Sequence, residues 1–341
     1  MKKPNGIGII AIISLFTAIL MIPTMVVMPF TKSSDSNEAR ETQPSEQQVK
    51  DLPSDLSPFS VRVLREKSGQ IEEVPLETYV SRVVASEMPA NFELEALKAQ
   101  SLAARTYITR HLMNEAEGIE NADVTDTVKH QVYKNDQELK QIWSDQYESN
   151  MAKINEAVQA TAGEIITYQH QPIDAAFFST SNGFTENAED YWHAEIPYLK
   201  SVESPWDEQS PKFIDQKIVT LDNLRSALAL DDFSSLAGVT LTRTEGNRVN
   251  EVSISGKSFT GREIREALGL SSSDFTMEQK GEHIVFTTKG FGHGVGMSQY
   301  GANGMAQTGK DYKEIVHHYY QGTDISPIQT LTASLPENKG S

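Results

Sequence analysis

The apolar positions of this chain follow three different spacings, and each predicts a different kind of element. From Gly6 to Phe30 the chain reads GIGIIAIISLFTAILMIPTMVVMPF, apolar on every face and uncharged until Lys32. A helix of about 20 such residues crosses a bilayer. Residues 1–30 therefore read as a short cytoplasmic N-terminus and a transmembrane anchor. A cleavable signal peptide would have an apolar region of about 7–15 residues and end in a small-x-small site, and no such site follows Phe30. Pro23 and Pro29 can kink a span, but proline is tolerated there. Lys2 and Lys3 favour a cytoplasmic N-terminus, with Lys32 and Arg40 a modest counterweight, so the bulk of the chain is expected outside the cytoplasm. Residues 31–58 are rich in Ser, Glu, Gln, Asp and Pro and read as a flexible linker.

Periodic signals begin at Phe59 and define a domain over residues 59–328, followed by a C-terminal tail, 329–341. Ser60–Glu66 alternates as a strand, with Ser68–Val74 turning into its partner. Pro75 suits the first position of a helix along which Leu76, Val80, Val83 and Val84 recur, and Pro89 ends it. A second helix is expected from an Asn91 N-cap to about Met113. Glu164–Tyr168 and Ala175–Ser179 read as a hairpin around Gln169–Pro172. Val249–Ser255 and His283–Thr288 read as strands, and Thr260–Leu270 as a helix with a Thr260/Glu263 capping box. The mixture predicts an α+β fold, with two subdomains expected to flank a substrate groove.

Charge and cysteine remove several function classes. Lys and Arg number 30 against 47 Asp and Glu, a formal net charge of -17. That field repels phosphate backbones, so nucleic acid is not an expected partner, whereas a neutral sugar polymer is unaffected. The chain has no cysteine, hence no disulfide framework and no thiolate metal site.

Glu87 is the residue whose position suggests chemistry. It follows Val84 by three residues, Val83 by four and Val80 by seven, so it continues the apolar stripe of its helix. Partial desolvation there raises a carboxyl pKa, and the unpaired carbonyls of the last helical turn disfavour ionisation further. A glycosidic general acid needs that protonated state near neutral pH. The plainer alternative is a helix-end Glu turned to water. Lys98 and Arg105, seven residues apart, share a helix face and are either cations near this acid or a solvated face. Two loops rich in glycine and hydroxyls, Phe177–Glu186 and Lys289–Gly304, are either ligand-binding loops or sites of tight packing. Ser255–Ser258 (SGKS) lacks the first glycine of a phosphate loop, because Glu251 stands there. His317 and His318 are adjacent and point to different faces. There is no HExxH and no GxSxG.

Taken together, ASEMPANFELEALKAQSLAARTY (Ala85–Tyr107), HQVY (His130–Tyr133), FFSTSNGFTE, YLKSVESPWD (Tyr198–Asp207), GHGVGMSQYGANGMA (Gly292–Ala306) and YKEIVHHYYQGT (Tyr312–Thr323) closely resemble the stage II sporulation protein D family, in the same order. The resemblance implies a lytic transglycosylase that acts on peptidoglycan during engulfment of the forespore, preferring glycan strands stripped of stem peptides. It places Glu87 on the family's catalytic glutamate and Lys98 and Arg105 on its other motif positions. Ser181, His293, Gln299 and Tyr300 become candidates for holding the sugar. It also implies a sporulation amidase, the P protein, and a polytopic membrane protein, the M protein, as partners at the septal membrane. Some relatives hold zinc near the HQVY element. His130 lacks cysteine partners here, so no metal and no cofactor are expected.

One carboxylate suffices for this chemistry. Hydrolysis of a glycoside ordinarily uses two, but a lytic transglycosylase can protonate the leaving oxygen and then deprotonate the muramoyl C6 hydroxyl with the same group. Choosing transglycosylase over hydrolase rests on the resemblance, not on spacing. The reading from another class is a wall-binding scaffold that activates the amidase, with Glu87 serving only to bind sugar.

Overall fold

The computed structural model describes residues 52–53, 56–114, 119 and 121–330, all within the compact unit Gln47–Ser341. The expected anchor, most of the expected linker and residues 331–341 lie outside the described residues. Among the described residues no helix is long and apolar enough to cross a membrane.

The fold is α+β, with helices and several small sheets around two hydrophobic cores. β1 (Ser60–Arg65) and β2 (Gln70–Pro75) form the expected hairpin, Val61 and Val63 fully buried and Arg62 turned out. β2 leads directly into α1 (Leu76–Glu87), whose Leu76, Tyr79, Val80, Val83 and Val84 are fully buried. Pro89 disfavours helical backbone at the residue before it, and Met88 is extended at φ -122, ψ 138. Glu87 is therefore the last residue of α1.

The second helix, α2 (Leu94–Met113), starts later than Asn91 predicts. The chain after Pro89 turns back on itself, with Phe92 N–H donating to the Pro89 carbonyl, and the Asn303 side chain accepts from Glu93 N–H. A tertiary contact thus replaces the expected local cap. β3 (Val124–Thr125) joins β1 in parallel, and α3 (Asp136–Trp143) and α4 (Tyr147–Ala160) follow. β4 (Glu164–Tyr168) turns into β5 (Gln171–Pro172) through Gln169 and His170, both at positive φ. This two-residue turn, with the left-handed backbone that tight hairpins favour, gives β4 a nearer partner than the expected Ala175–Ser179.

β6 (Phe177–Phe178) instead pairs far along the chain, as shown below, and is followed by α5 (Ala188–Trp192). The next elements enclose the second core. They are β7 (Ile214–Thr220), α6 (Leu221–Ala227), β8 (Thr240–Arg243), β9 (Val249–Ile254), β10 (Lys257–Thr260), α7 (Gly261–Leu268), β11 (Phe275–Lys280) and β12 (His283–Lys289). They make two three-stranded sheets, β10-β9-β8 and β11-β12-β7. Val252, Ile254, Ile264, Phe275, Ile284 and Phe286 are nearly or fully buried between them. α7 carries the expected capping box. SGKS is a turn from β9 into β10, not a phosphate loop.

The chain then returns to the first core. β13 (Met297–Ser298) pairs in parallel with β6, Met297 opposite Phe177. α8 (Gln299–Gln307) and α9 (Tyr312–Tyr319) pack on α2, and β14 (Asp324–Pro327) pairs with β4. The second core is thus an insertion between two strands that lie side by side.

Candidate active site

Glu87 sits where two hollows meet. One, of about 590 Å³, is walled by segments that include His130–Val132, Asp174–Ser179 and Phe291–His293, with Arg265 of α7 contributed from the second core. The other, of about 280 Å³, is bordered by Lys134, Ile142 and Trp143. Glu87 and Lys212 line both. A carboxyl with room on either side is what internal cleavage of a polymer requires, since the chain must continue past the broken bond in both directions.

The carboxyl is partly buried. Its Oε1 accepts a hydrogen bond from the Val132 N–H at 3.0 Å. Burial raises its pKa, while the Val132 N–H and the Lys134 ammonium favour the anion, and the net shift is upward. The apolar stripe of α1 creates the burial, as the spacing of Val80, Val83 and Val84 predicts. The two opposing groups come from the segment after β3.

The candidate sugar-binding residues fall into two groups. His293 and Gln299 line the larger hollow with Glu87. His293 Nε2 pairs with the Phe177 carbonyl at 3.0 Å and its Nδ1 accepts from Val295 N–H at 3.1 Å. Burial pushes its pKa down to about 4. It is therefore a neutral ring held in one orientation, its plane among Phe178, Tyr191 and Trp192, and no proton donor at neutral pH.

The structure places the other four outside the linings of both hollows. Arg105 is fully buried and pairs with Glu77 of α1, Nη2 to Oε2 at 2.6 Å and Nε to Oε1 at 2.9 Å. Its Nη1 also reaches the Glu164 carbonyl at 3.0 Å. Lys98 pairs with Glu95 at 2.6 Å and lies over the Tyr312 ring, 5.8 Å from its centroid. The seven-residue spacing that aligns the two cations points them into the packing of α2, not towards Glu87. Ser181 is buried and donates to Asp207 at 2.8 Å; Asp207 also accepts from Ser204 and Ser298, each at 2.6 Å. Tyr300 packs its ring edge-on against Phe92 at 4.9 Å.

The glycines of the 289–304 loop serve packing and backbone conformation. Gly294 has φ +91, and a Cβ there would lie 2.4 Å from the Arg248 guanidinium; at Gly296, φ +80, it would lie 2.0 Å from the Ala176 carbonyl oxygen. These contacts press the loop against β6 and the second core, and Gly292 and His293 are left facing the groove.

Sequence reasoning did not single out Lys134, Trp192, Lys212 and Arg265 as site residues. Lys134 directly follows the HQVY element, and all four come together around Glu87 only through the tertiary fold. Asp174 also lines the larger hollow, its carboxylate 3.4 Å from the Arg110 guanidinium. Among the described residues no group of three or more His, Asp or Glu could hold a metal ion. His130 Nδ1 is bonded to Thr125, and its ring meets His111 edge-on.

This geometry coincides with a clear family relationship. A family model described as stage II sporulation protein matches residues 65–168, which include Glu87 and Val132. Stage II sporulation protein D of Bacillus subtilis (strain 168) is 48% identical over 318 residues, covering 90% of this chain and 92% of that protein. This chain belongs to the stage II sporulation protein D family. A second member, from Bacillus amyloliquefaciens, is 46% identical over 94% of this chain and 96% of its own length. The family likeness reaches further, to a Bacillus subtilis protein named amidase enhancer, 29% identical over 72% of this chain and 40% of that protein.

Proposed function

We propose that this sporulation protein is a lytic transglycosylase that cleaves the bond from N-acetylmuramic acid to N-acetylglucosamine in peptide-stripped glycan strands. The observation that carries the reading is the Glu87 carboxyl, its pKa raised by burial, at the junction of two hollows. Glu87 protonates the bridging oxygen as the C1–O bond breaks. The carboxylate then takes the proton from the muramoyl C6 hydroxyl as that oxygen closes on C1, forming the 1,6-anhydro ring. No water is consumed, and the carboxyl returns to its starting state. The family, the apolar run of residues 6–30 and the name of the amidase-enhancer relative support the rest of the reading: an N-terminal membrane anchor, a catalytic part outside the cytoplasm at the sporulation septum, and work beside the P amidase and the M membrane protein.

The test is to incubate the purified full-length chain with peptide-free glycan strands and read the products by mass spectrometry, alongside Glu87→Gln and Asp174→Asn. Anhydro-ended sugars from wild type and Asp174→Asn, and none from Glu87→Gln, are expected. Reducing ends that disappear with Asp174→Asn would make the protein a two-carboxylate hydrolase instead. The amidase-enhancer relative favours a second reading, an amidase-activating scaffold. That reading gains if a folded Glu87→Gln protein retains full stimulation of the amidase while wild type cleaves nothing.

A further inference from the structure

The larger hollow holds two buried side-chain amides with an unmet donor. Gln131 is 2% exposed and Gln299 5% exposed, and both line the hollow with Glu87. Neither Nε2 has a hydrogen-bond partner. In Gln131 the orientation is dictated from behind. The buried Tyr79 hydroxyl donates to Oε1 at 3.2 Å, which leaves Nε2 as the end without a partner. Gln131 also immediately precedes Val132, whose N–H holds Glu87 Oε1. Gln299 enters from another element, as the first residue of α8 beyond its Ser298 cap.

Buried amide donors are normally paired, because leaving one unpaired forfeits its hydration without return. Two of them belong to residues that line one groove with Glu87, where a ligand that draws either amide outward supplies the acceptor it lacks. A neutral carbonyl oxygen satisfies either amide donor. The same wall presents Phe177, Phe178 and Trp192. A group that offers a carbonyl oxygen and, next to it, a methyl suits such a wall better than a hydroxyl, which brings a donor of its own and no apolar surface. The 2-acetamido group of an aminosugar has that composition.

We infer that Gln131 and Gln299 bind the acetamido carbonyl oxygens of the sugars beside Glu87, so that the groove selects N-acetylated strands. The terminal torsion of glutamine is soft, so each amide can turn its Nε2 to the ligand without moving the backbone, Gln131 by giving up the bond from the Tyr79 hydroxyl. The inference rests on the groove binding an aminosugar strand, and not on Glu87 cleaving it.

The test therefore reads binding in a chain that cannot turn over. Full-length Glu87→Gln protein is titrated with peptide-free glycan strands and with the same strands after chemical removal of the N-acetyl groups. Gln131→Leu and Gln299→Leu are then added singly to that background. Each Leu substitution should weaken binding of acetylated strands about tenfold and leave binding of the deacetylated strands unchanged. Comparing the two losses cancels the charge that the freed amines introduce. Equal loss on both strands, or no loss on either, would overturn the assignment. Should Gln131→Leu destabilise the fold through Tyr79, Gln299→Leu decides the matter alone. Failure of cleavage in the product assay leaves these outcomes unaffected, so the two readings fail separately.

Discussion

At Glu87 burial and two neighbouring groups act with opposite signs on one proton. Burial favours the neutral carboxyl, the Val132 N–H and the Lys134 ammonium favour the anion, and burial prevails. A general acid loses activity as pH rises through its pKa, so the raised value moves the alkaline limb of the rate profile upward. Lys134→Met removes one of the groups that hold the value down. The alkaline limb of kcat should therefore move higher still, and an unmoved limb would show that Lys134 does not act on the catalytic proton. Stability changes with the opposite sense. A carboxyl raised on folding binds its proton more tightly in the native state, so its contribution is complete below the unfolded pKa and lost as pH rises through the folded one. Glu87→Gln should thus melt higher than wild type at neutral pH, with the gain vanishing in acid; a Tm difference independent of pH would contradict the shift. The burial of Glu87 was legible in the sequence, because three valines at helical spacing define the face it continues. Gln131 and Lys134 were not, because their effect depends on how the chain after β3 lies across the end of α1.

The pairing of α1 with α2 shows where spacing misleads. Lys98 and Arg105 do share a helix face, but α2 is covered on nearly every side, so a shared face carries no guarantee of solvent or substrate. Arg105 is fully buried, and it meets Glu77, which is equally buried. Removing one partner of such a pair leaves an uncompensated charge and costs about 3–5 kcal/mol. Arg105→Ala should accordingly lower the midpoint of chemical denaturation by that order, with Glu77→Ala doing the same. Glycan binding by the fraction that remains folded should be unchanged. If instead Arg105→Ala melts like wild type and loses its substrate, the arginine belongs to the groove after all. A Glu77→Gln, Arg105→Met double variant should recover much of the loss, since the penalty comes from the unpaired charge. The helices α1, α2 and α7 and the β1–β2 hairpin were readable from local signals such as the Thr260 capping box. The parallel pair β6–β13 was not, for its two strands are only two residues long and lie on either side of the insertion.

That insertion decides how the molecule behaves as a whole. The chain stays on the first core past β6 through Leu199 and Trp206, builds a second core over residues 214–289 and returns to pair β13 with β6. Besides the two crossings, a buried ion pair ties the cores together. Arg248, the residue before β9, 3% exposed at its side chain, faces Glu186 of the loop before α5, 2% exposed, at 3.6 Å. Arg248 also donates to the Phe184 carbonyl at 3.1 Å, and Thr244 donates to Glu186 at 2.8 Å. Since Arg265 reaches the groove from the second core, the shape of the groove depends on this attachment. Arg248→Ala leaves Glu186 buried without its cation, at a cost of about 3–5 kcal/mol, yet removes nothing from either apolar core. The expected result is loosening at the junction, with both cores still folded. In scanning calorimetry the variant should show its transition broadened or split in two, against a single transition for wild type. Glycan affinity at low temperature should fall before any helix or sheet signal does. A variant that shifts to lower temperature as one sharp transition, with affinity intact up to it, would mean that the two cores fold as one unit and that the ion pair contributes stability alone.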